Sequence, residues 1–437
     1  MKKVVLIFCA YLLIISKVRG QSKDDWSLEK CIDYAYTQNI SIRKNELAIT
    51  RSEKSAEQIR AQRFPSAGAS VNHSFSWTKN TSGGSGFMGY NGTNYSLNSD
   101  IVLFGASKIT NLIKQADLNV QSGTLTLETT KESVSLSILD AFLQVLYAEE
   151  QVKNSERQLE STNEQVKLAN ERLNLKGISR ADYAQLVSQL AKEKLTLANS
   201  KNQLSLVKIN LMQLMELPVS DSFNIVHPVL PETPNQNRVP DVRKIYETAL
   251  SIKPQIRNAS INKDIIELDE KVAKAGYFPA LSANAGLSNS YSDNFSGSYF
   301  GKATDGLHVS AGLSLSIPIY QKKQVKTSIA IAKIGYSDAE LDEINTRNEL
   351  RKNIEQACQD LVAAQVEYEA SVESYKANVE SAMQSDEKFR QGMINSVDYL
   401  VAKTSLIAAE SQLLQSKYNL IFAYKTLDFY SGIPIVL

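Results

Sequence analysis

Four short segments of the chain alternate between apolar and small polar side chains. They cover residues 71–78, 95–103, 281–291 and 307–317. A period of two is typical of a strand with one apolar face and one wet face. The alternation predicts four strands whose apolar faces carry Val71, Phe75, Trp77, Leu97, Ile101, Leu281, Leu287, Val309, Leu313 and Leu315. The joining segments, 80–93 and 292–305, are rich in Gly, Ser, Asn and Thr and are expected to be loops in solvent.

A second pattern, with steps of four and three residues, runs without a break from Val134 to Leu173. The same track recurs at a constant offset in the second half of the chain, from Leu350 to Phe389. This repeat predicts long helices that pack side by side along their length. The predicted helices cover residues 28–63, 105–175 and 181–217 in the first half and 242–276, 321–390 and 396–430 in the second. A helix of about seventy residues is on the order of 100 Å long, more than a globular core of this mass requires.

Short motifs also occur twice in the same order, which indicates an internal duplication. Phe64-Pro65 recurs as Phe278-Pro279, and Asp182 recurs as Asp398 at the offset that takes Val134 to Leu350, called here the repeat offset. Each half reads as helix, hairpin, very long helix, turn and helix. Pro65 and Pro279 are the predicted helix-to-strand junctions, because a proline cannot continue a helix.

The N-terminal segment has the features of a secretory signal peptide, since Lys2 and Lys3 precede an apolar run from Val4 to Ile15. Prolines crowd a stretch near the middle of the chain, which predicts a surface linker between the halves. The predicted organisation begins with a signal peptide at 1–20 and a first repeat at 21–220, which contains a β-hairpin at 67–104 and a tip turn near 177. A Pro-rich linker at 221–241 follows. The second repeat, at 242–437, contains a β-hairpin at 280–319 and a tip turn near 392.

Composition excludes several classes of function. The chain has 48 basic and 47 acidic side chains, so no positive field for nucleic acid is indicated. Its three histidines, His73, His227 and His308, lie far apart, and we expect no metal or other cofactor. The sequence contains no phosphate loop or nucleophile elbow, and we predict that the protein is not an enzyme.

Two interpretations of the strand pattern remain open. A soluble sheet lying on a core gives the same alternation, whereas a membrane β-barrel requires strands of about ten residues with a polar lumen face. The very long helices favour the membrane interpretation. Four strands cannot close into a barrel, and unpaired strand edges are not tolerated in hydrocarbon. Several copies of the chain must then share one barrel.

In these features the chain resembles the TolC-like outer membrane efflux protein family. The resemblance is carried by the run from Trp26 to Ile32, the paired Phe-Pro motifs, the strand end Ile317-Pro318-Ile319-Tyr320, the two Gly-to-Asp turns and Gly432-Ile433-Pro434. It implies a mainly α fold with a small membrane β part. The chain would contribute a two-repeat long-helix α-barrel and four transmembrane β-strands, closed into a 12-stranded barrel in a homotrimer. The implied location is the outer membrane, with a large periplasmic part.

The same resemblance implies a passive exit duct of a tripartite efflux or type I secretion system. Its expected partners are outer membrane lipid, a periplasmic membrane-fusion adaptor and, through the adaptor, an inner-membrane transporter. The alternative class is a periplasmic coiled-coil adaptor or scaffold protein of an envelope complex, which also carries a signal peptide and long helical hairpins. The cargo and the cognate pump stay open, because small polar residues line conduits of many kinds.

The two tip turns connect the long helices to the helices that follow them. Each turn contains a glycine, Gly177 or Gly392, which we expect to take the left-handed conformation that ends a helix. Each also contains a serine, Ser179 or Ser396, which we expect to cap the next helix.

By the resemblance, a periplasmic gate is expected at these tips. Asp398 is the best candidate for an acidic ring at the constriction, and Asp182 is its counterpart in the first half. Val401, one turn after Asp398, stands where some family members carry a second carboxylate. Arg180 is a candidate to pair with neighbouring acids and hold the tip shut. The alternative is that both carboxylates only cap or solvate the starts of their helices.

Overall fold

The structure is a computed structural model that describes residues 26–79, 87–218, 223–228, 241–292 and 306–437. The predicted signal peptide and most of the two predicted hairpin loops lie outside these ranges. Within them the chain forms eight helices of eleven or more residues and four strands. The predicted fold class, mainly helical with a small antiparallel sheet, is confirmed. No helix in the described part of the chain is both long and apolar enough to cross a membrane.

Each helix of the first half recurs in the second half with the same length. The pairs contain 11, 22, 67 and 35 residues. The helices are α1 (Leu28–Gln38), α2 (Ile40–Ala61), α3 (Lys108–Asn174), α4 (Arg180–Leu214), α5 (Val242–Ile252), α6 (Pro254–Ala275), α7 (Gln324–Arg390) and α8 (Ser396–Tyr430). At 1.5 Å per residue, α3 and α7 are each about 100 Å long.

The first helix of each half is interrupted where a continuous helix was predicted. The breaks fall at Asn39 and Lys253, which are separated by the same offset as the two Phe-Pro motifs. Asn39 Oδ1 accepts a hydrogen bond of 2.9 Å from the backbone amide of Ser41, which starts a new helix, and Asn39 Nδ2 donates to the carbonyl of Leu214. Lys253 precedes Pro254, and a residue before proline is disfavoured in the helical conformation. The prediction of unbroken helices is wrong at both places, because the Asn39 side chain caps a new helix and Pro254 disfavours the helical conformation of Lys253.

The four strands form one antiparallel sheet in the order β1-β2-β3-β4. Their bounds are β1 (Ser66–Lys79), β2 (Phe87–Phe104), β3 (Ala280–Ser292) and β4 (His308–Ser316). β2 starts within the predicted loop, because Phe87 already pairs with Lys79. β4 ends before the predicted boundary at residue 319, since Pro318 has no amide hydrogen to donate.

The register aligns the apolar positions of all four strands on one face of the sheet. One row is Ala69, Leu97, Leu287 and Val309, and the adjacent row is Ser70, Ser96, Ser288 and His308. The side chains on the apolar face are largely exposed within the chain, with Val71 65% and Trp77 70% exposed. Two polar residues of this face pair with each other, since His73 hydrogen-bonds to Thr93 Oγ1 through Nδ1 at 2.8 Å.

Among the described residues, one compact unit contains those in the ranges 26–43, 129–253 and 349–437. Its core is built from α1, α3, α4 and α8 and includes the fully buried Phe142, Leu146 and Leu211. The predicted heptad positions of α3 and α7 are buried or half-buried here. Part of the predicted surface linker is not on the surface, because Phe223 and Ile225 are buried in this core.

The second compact unit contains residues 44–128 and 254–348 and includes the sheet. Polar contacts join its helices: Gln115 Nε2 donates to Asp269 Oδ1 at 2.7 Å between α3 and α6, and Lys263 pairs with Glu343 between α6 and α7. Glycine permits close packing of α3 on α2, since a Cβ on Gly123 would lie 3.3 Å from Ile49 Cγ1.

The strand-to-helix junctions of both halves contain two consecutive left-handed residues. Ala106 and Ser107 have φ of 49° and 62°, and Lys322 and Lys323 have φ of 48° and 67°. The second pair lies at the repeat offset from the first, so the duplication extends to backbone conformations that are costly for residues with a Cβ.

The C-terminal ends of α4 and α8 offer a direct test of this backbone strain. Glu216 and Gly432 occupy equivalent positions with φ of 56° and 77°, and both ends close with the same pair of backbone hydrogen bonds. Because only glycine adopts this conformation without steric cost, Glu216→Gly should raise the free energy of unfolding by about 1 kcal/mol. Urea unfolding monitored by circular dichroism measures the change.

Glu216→Ala is the matched control, because it removes the charge and keeps the Cβ, and it should give no such gain. Gly432→Ala should destabilise the protein, since the added Cβ would lie 2.7 Å from Ile252 Cδ1. A Glu216→Gly variant no more stable than Glu216→Ala would contradict this account of the helix end.

Candidate functional site

The first tip turn joins α3 to α4, and the second joins α7 to α8. In both, a left-handed residue closes the long helix with two backbone hydrogen bonds. In the second turn that residue is Gly392, with φ of 72°. In the first it is Lys176, with φ of 58°, and not Gly177 as predicted. The correction follows from the duplication, because the repeat offset relates Gly392 to Lys176.

The caps of the following helices show the same relation. Ser179 is the N-cap of α4, and its Oγ accepts a hydrogen bond from the amide of Asp182 at 3.0 Å. Asn395, not the predicted Ser396, is the N-cap of α8, and its Oδ1 accepts from the amide of Asp398 at 2.9 Å. Ser396 is therefore the first residue of α8, and its side chain is available for a different contact.

Asp182 ties the two tips together. Its Oδ1 accepts hydrogen bonds from the Ser396 hydroxyl at 2.6 Å and from the Ser396 amide at 3.2 Å, while its Oδ2 accepts from Ser179 Oγ at 2.6 Å. The hydroxyl of Ser179 and then that of Ser396 stabilise the carboxylate and hold the pKa of Asp182 below its ordinary value. The first-half carboxylate therefore links α4 to α8 in addition to lying at a helix start.

The other two predicted gate residues have no such tie. Asp398 is exposed, and its carboxylate has no hydrogen-bond or ion-pair partner among the described residues. Arg180 is also exposed and forms no ion pair with any residue that the structure describes. Arg172 does join the two tips, because its Nη2 donates to the carbonyl of Arg390 at 2.9 Å.

A small apolar cluster lies directly behind the turns. Ala169, Leu186, Tyr399 and Leu400 are buried in it, and the ring of Phe389 stacks on that of Tyr399 with centroids 4.8 Å apart. Burial raises the pKa of the Tyr399 hydroxyl, which accepts a hydrogen bond from Gln165. This packing fixes the start of α8 against α3.

Next to this cluster, Lys403 of α8 lies between α3 and α4 with 11% of its side chain exposed. Its ammonium donates to Thr162 Oγ1 and, at 3.3 Å, to Gln165 Oε1, and it lies 3.8 Å from Glu193 Oε1. Burial lowers the pKa of Lys403. Glu193 Oε2 is buried with no hydrogen-bond partner among the described residues.

A buried ion pair with one unsatisfied oxygen contributes little to stability compared with apolar packing, but it is costly to separate. It requires α8 to stay at one axial position relative to α3 and α4, because sliding would leave two buried charges unpaired. The sequence pattern did not indicate this role for Lys403 or Glu193. The sequence shows them only as charged residues at helical positions that face other helices. A search for apolar periodicity does not identify such residues.

The predicted helix-to-strand junctions lie in the other compact unit. Pro65 and Pro279 separate their helices from β1 and β3, and Pro65 lines a cavity of about 950 Å³ together with Phe64, Phe278 and Pro318. No cluster of three or more His, Cys, Asp or Glu side chains suited to a metal ion occurs in the described ranges.

The tie formed by Asp182 can be tested against its unpaired counterpart. Asp182→Asn replaces a carboxylate acceptor by a weaker amide oxygen and should lower the free energy of opening the tip by about 1 kcal/mol, given the partial exposure of the site. Hydrogen exchange of the tip amides, above all that of Ser396, measures the change. Asp398→Asn is the matched control and should leave tip protection unchanged, since its carboxylate binds no described side chain.

The lowered pKa of Asp182 predicts the direction in which tip protection changes with pH. The folded pKa of Asp182 is lowered, so its contribution is complete above the unfolded pKa of about 3.9 and is lost as the pH falls through the folded pKa. Protection of the wild-type tip should fall below about pH 4, and Asp182→Asn should lack this step. Equal protection of wild type and Asp182→Asn at neutral pH would contradict the assignment.

A known protein family matches both repeats of the chain. The family model for outer membrane efflux proteins matches residues 31–216 and 245–432. The alkaline protease secretion protein AprF of Pseudomonas aeruginosa is 26% identical over 193 residues, which cover 43% of this chain and only 38% of the length of that relative.

Solved outer membrane proteins share the fold at low identity. The CmeC outer membrane channel of Campylobacter jejuni has a TM-score of 0.79 at 17% identity, over 94% of this chain and 86% of that one. VceC of Vibrio cholerae has a TM-score of 0.76 at 15% identity, over 93% and 96% of the two chains. The family and fold are those of outer membrane efflux or secretion channels, and since the family model covers both repeats, this chain belongs to the outer membrane efflux protein family.

Proposed function

We propose that the chain forms a homotrimer in the outer membrane and acts as a passive exit duct. Three copies contribute twelve strands to one barrel, and the long helices continue the duct into the periplasm. The observation that carries this proposal is a sheet with an exposed apolar face, a polar face and two unpaired edge strands, β1 and β4.

Each of these features is costly in water and favourable in a shared barrel. The predicted lipid-facing residues of the strands offer a continuous apolar surface to outer membrane lipid, and the rows of Ser, Asn and Gly suit a water-filled lumen. Edge strands present unpaired backbone groups, and closure with neighbouring copies satisfies them. Pairing of β4 with β1 of the next copy completes the cylinder.

The helical part also offers a surface for a second copy. Ile331, Ile334, Leu341 and Ile344 of α7 lie along one stripe of the helix and are 50–70% exposed. Contiguous exposed apolar side chains on a helix mark an interaction surface. Lateral contact between neighbouring copies along the long helices buries this stripe.

The proposed gate is at the tips. Asp398 is exposed and unpaired within the described chain, so three copies around an axis would concentrate negative potential at the constriction and favour cations. Asp182 has the different task of holding α4 to α8, and release of this tie accompanies opening. Val401, which is 61% exposed, supplies an apolar side chain one turn further along α8.

A passive duct has no energy source of its own, so it requires partner proteins that drive transport through it. We propose that a periplasmic membrane-fusion adaptor docks at the tips and links the duct to an inner-membrane transporter, as part of a tripartite efflux or type I secretion system. The chain itself performs no chemistry in this scheme. Adaptor contact acts by separating the tips, which requires breaking the Asp182 tie and shifting α8.

The direct experiment is detergent extraction of outer membranes, followed by native mass determination and planar-bilayer recording. We expect a particle with the mass of three chains that conducts ions. Asp398→Ala should reduce block by divalent cations several-fold, because it removes three carboxylates from one ring.

Asp182→Ala is the contrasting variant and should raise the open fraction of the channel without the same loss of cation block. Recovery of the mature protein as a monomer in the soluble periplasm would refute the duct and favour a periplasmic adaptor. A conducting trimer with unchanged block in Asp398→Ala would leave the duct intact and remove Asp398 from the constriction.

A further inference from the structure

Three exposed cations lie where the two outer strands of the sheet meet their helices. Arg63 precedes β1, and Lys322 and Lys323 follow β4. All three side chains are exposed, and none has an ion-pair partner among the residues that the structure describes. These residues, called here the edge cations, are a concentration of positive charge at one end of the sheet.

The carboxylates near the strand-to-helix junctions do not neutralise the edge cations. On α2, β2, α3 and α6 the carboxylate closest to its junction already has another partner: Glu57 with Lys54, Asp100 with Ser66, Asp117 with Arg60, and Glu270 with Lys274. On α7 the first carboxylate is Asp338, about four turns into the helix. The balancing negative charge must therefore come from outside the described chain.

The internal duplication shows that the backbone does not require lysine at these positions. Lys322 and Lys323 are left-handed, with φ of 48° and 67°. Their counterparts at the repeat offset, Ala106 and Ser107, have nearly the same φ of 49° and 62° without any charge. The two lysines therefore serve a purpose other than the turn itself.

Arg63 differs from its counterpart in the same way. The offset that relates the two Phe-Pro motifs takes Arg63 to Tyr277, which is uncharged and precedes the inner strand β3. Lys108, which follows the inner strand β2, instead lines the cavity of about 950 Å³ described above. The edge cations thus belong to the outer strands, and the equivalent positions next to the inner strands carry no charge.

Closure of the proposed barrel brings edge cations of two copies together. Neighbouring strands of the sheet are antiparallel, so β4 of one copy and β1 of the next also run in opposite directions. The end of β4 at Ser316 then lies at the same end of the barrel as the start of β1 at Ser66 in the neighbouring copy. Each copy boundary collects two lysines from one copy and Arg63 from the other, and such like charges repel unless an anion lies among them.

The apolar surface that follows β4 ends immediately before the lysines. Ile317, Ile319 and Tyr320 are 58%, 94% and 81% exposed. Exposed apolar side chains followed by Tyr and Lys are typical of the boundary between hydrocarbon and headgroups, where lysine keeps its ammonium among the polar groups. In the proposed duct the helices lie in the periplasm, so this end of the sheet is at the depth of the lipid phosphates of the periplasmic leaflet.

We infer that each copy boundary binds an anionic phospholipid of the periplasmic leaflet. Lys322 and Lys323 of one copy and Arg63 of the next contact its phosphate, and its acyl chains lie on the apolar surface that includes Ile319. Guanidinium groups donate two parallel hydrogen bonds to a phosphate, and ammonium groups act as point charges beside it. Because two copies supply the site, the bound lipid also stabilises their association. This inference rests on the proposed trimer and names a lipid class that the trimer recognises.

Native mass spectrometry of the purified trimer tests the inference by counting bound lipids. The trimer in detergent is mixed with phosphatidylglycerol or, separately, with phosphatidylcholine, whose phosphate is balanced by a positive charge on the same headgroup. The wild type should retain phosphatidylglycerol in preference. The variant Lys322→Gln with Lys323→Gln should retain about tenfold less of it, because two cations near the phosphate are lost.

The matched control is Lys192→Gln with Lys194→Gln, which removes two exposed lysines from α4 and should retain as much phosphatidylglycerol as the wild type. Arg63→Gln should also lower retention, although Arg63 lies at the opposite edge of the sheet, because the site is formed by two copies. Phosphatidylglycerol should raise the temperature at which the trimer dissociates in the wild type and the control, and should have little effect in the Lys322→Gln with Lys323→Gln variant.

Equal retention of the two lipids by the wild-type trimer would overturn the inference, and this comparison requires no variant. Equal retention of phosphatidylglycerol by the Lys322→Gln with Lys323→Gln variant and its control would overturn it as well. Displacement of the lipid by an equal concentration of inorganic phosphate would assign the edge cations to free anions instead. In each of these cases a conducting trimer leaves the duct proposal standing, whereas absence of any trimer in the wild type refutes the duct.

Discussion

The backbone hydrogen bonds of the sheet impose the constraint on which the rest of the structure depends. Four antiparallel strands leave one unpaired edge on β1 and another on β4, and the register gathers the apolar side chains on one exposed face. Neither the edges nor that face is satisfied by the remainder of the described chain. Lipid on one side, water on the other and further strands at both edges resolve all three problems together.

The internal duplication gives the helical part of the chain two similar halves. The helices of the two halves have equal lengths, so each chain consists of two similar helical repeats. The helix break at Asn39 also has a counterpart in the second repeat, at Lys253. The two halves are not identical in side chains, however. Asp182 accepts a hydrogen bond from Ser396, whereas its counterpart Asp398 is exposed, so equivalent backbones carry carboxylates with different contacts at the tip.

Sequence periodicity predicted the helices, the strands and their faces because each depends on local alternation of apolar and polar residues. It misplaced features that depend on hydrogen bonds of single residues. Gly177 looked like a helix terminator, yet the terminating position is Lys176, and Ser396 looked like a cap, yet Asn395 has that position. The repeat offset relates Gly392 to Lys176 and Ser179 to Asn395, which are the positions that the structure uses. The buried pair of Lys403 and Glu193 was beyond prediction, since charged residues seldom occupy buried positions and only the packed helices place them together.

In the proposed duct the sheet has one face in lipid and the other in water. Spin labels at Ser96, Leu97, Asn98 and Ser99, four consecutive positions of β2, test it in outer membranes through collision with oxygen and with a water-soluble nickel complex. We predict that labels at Leu97 and Ser99 collide with oxygen, and that labels at Ser96 and Asn98 collide with nickel. Labels at Leu97 and Ser99 that are shielded from both reagents, as in a soluble sheet packed on a protein core, would contradict the account.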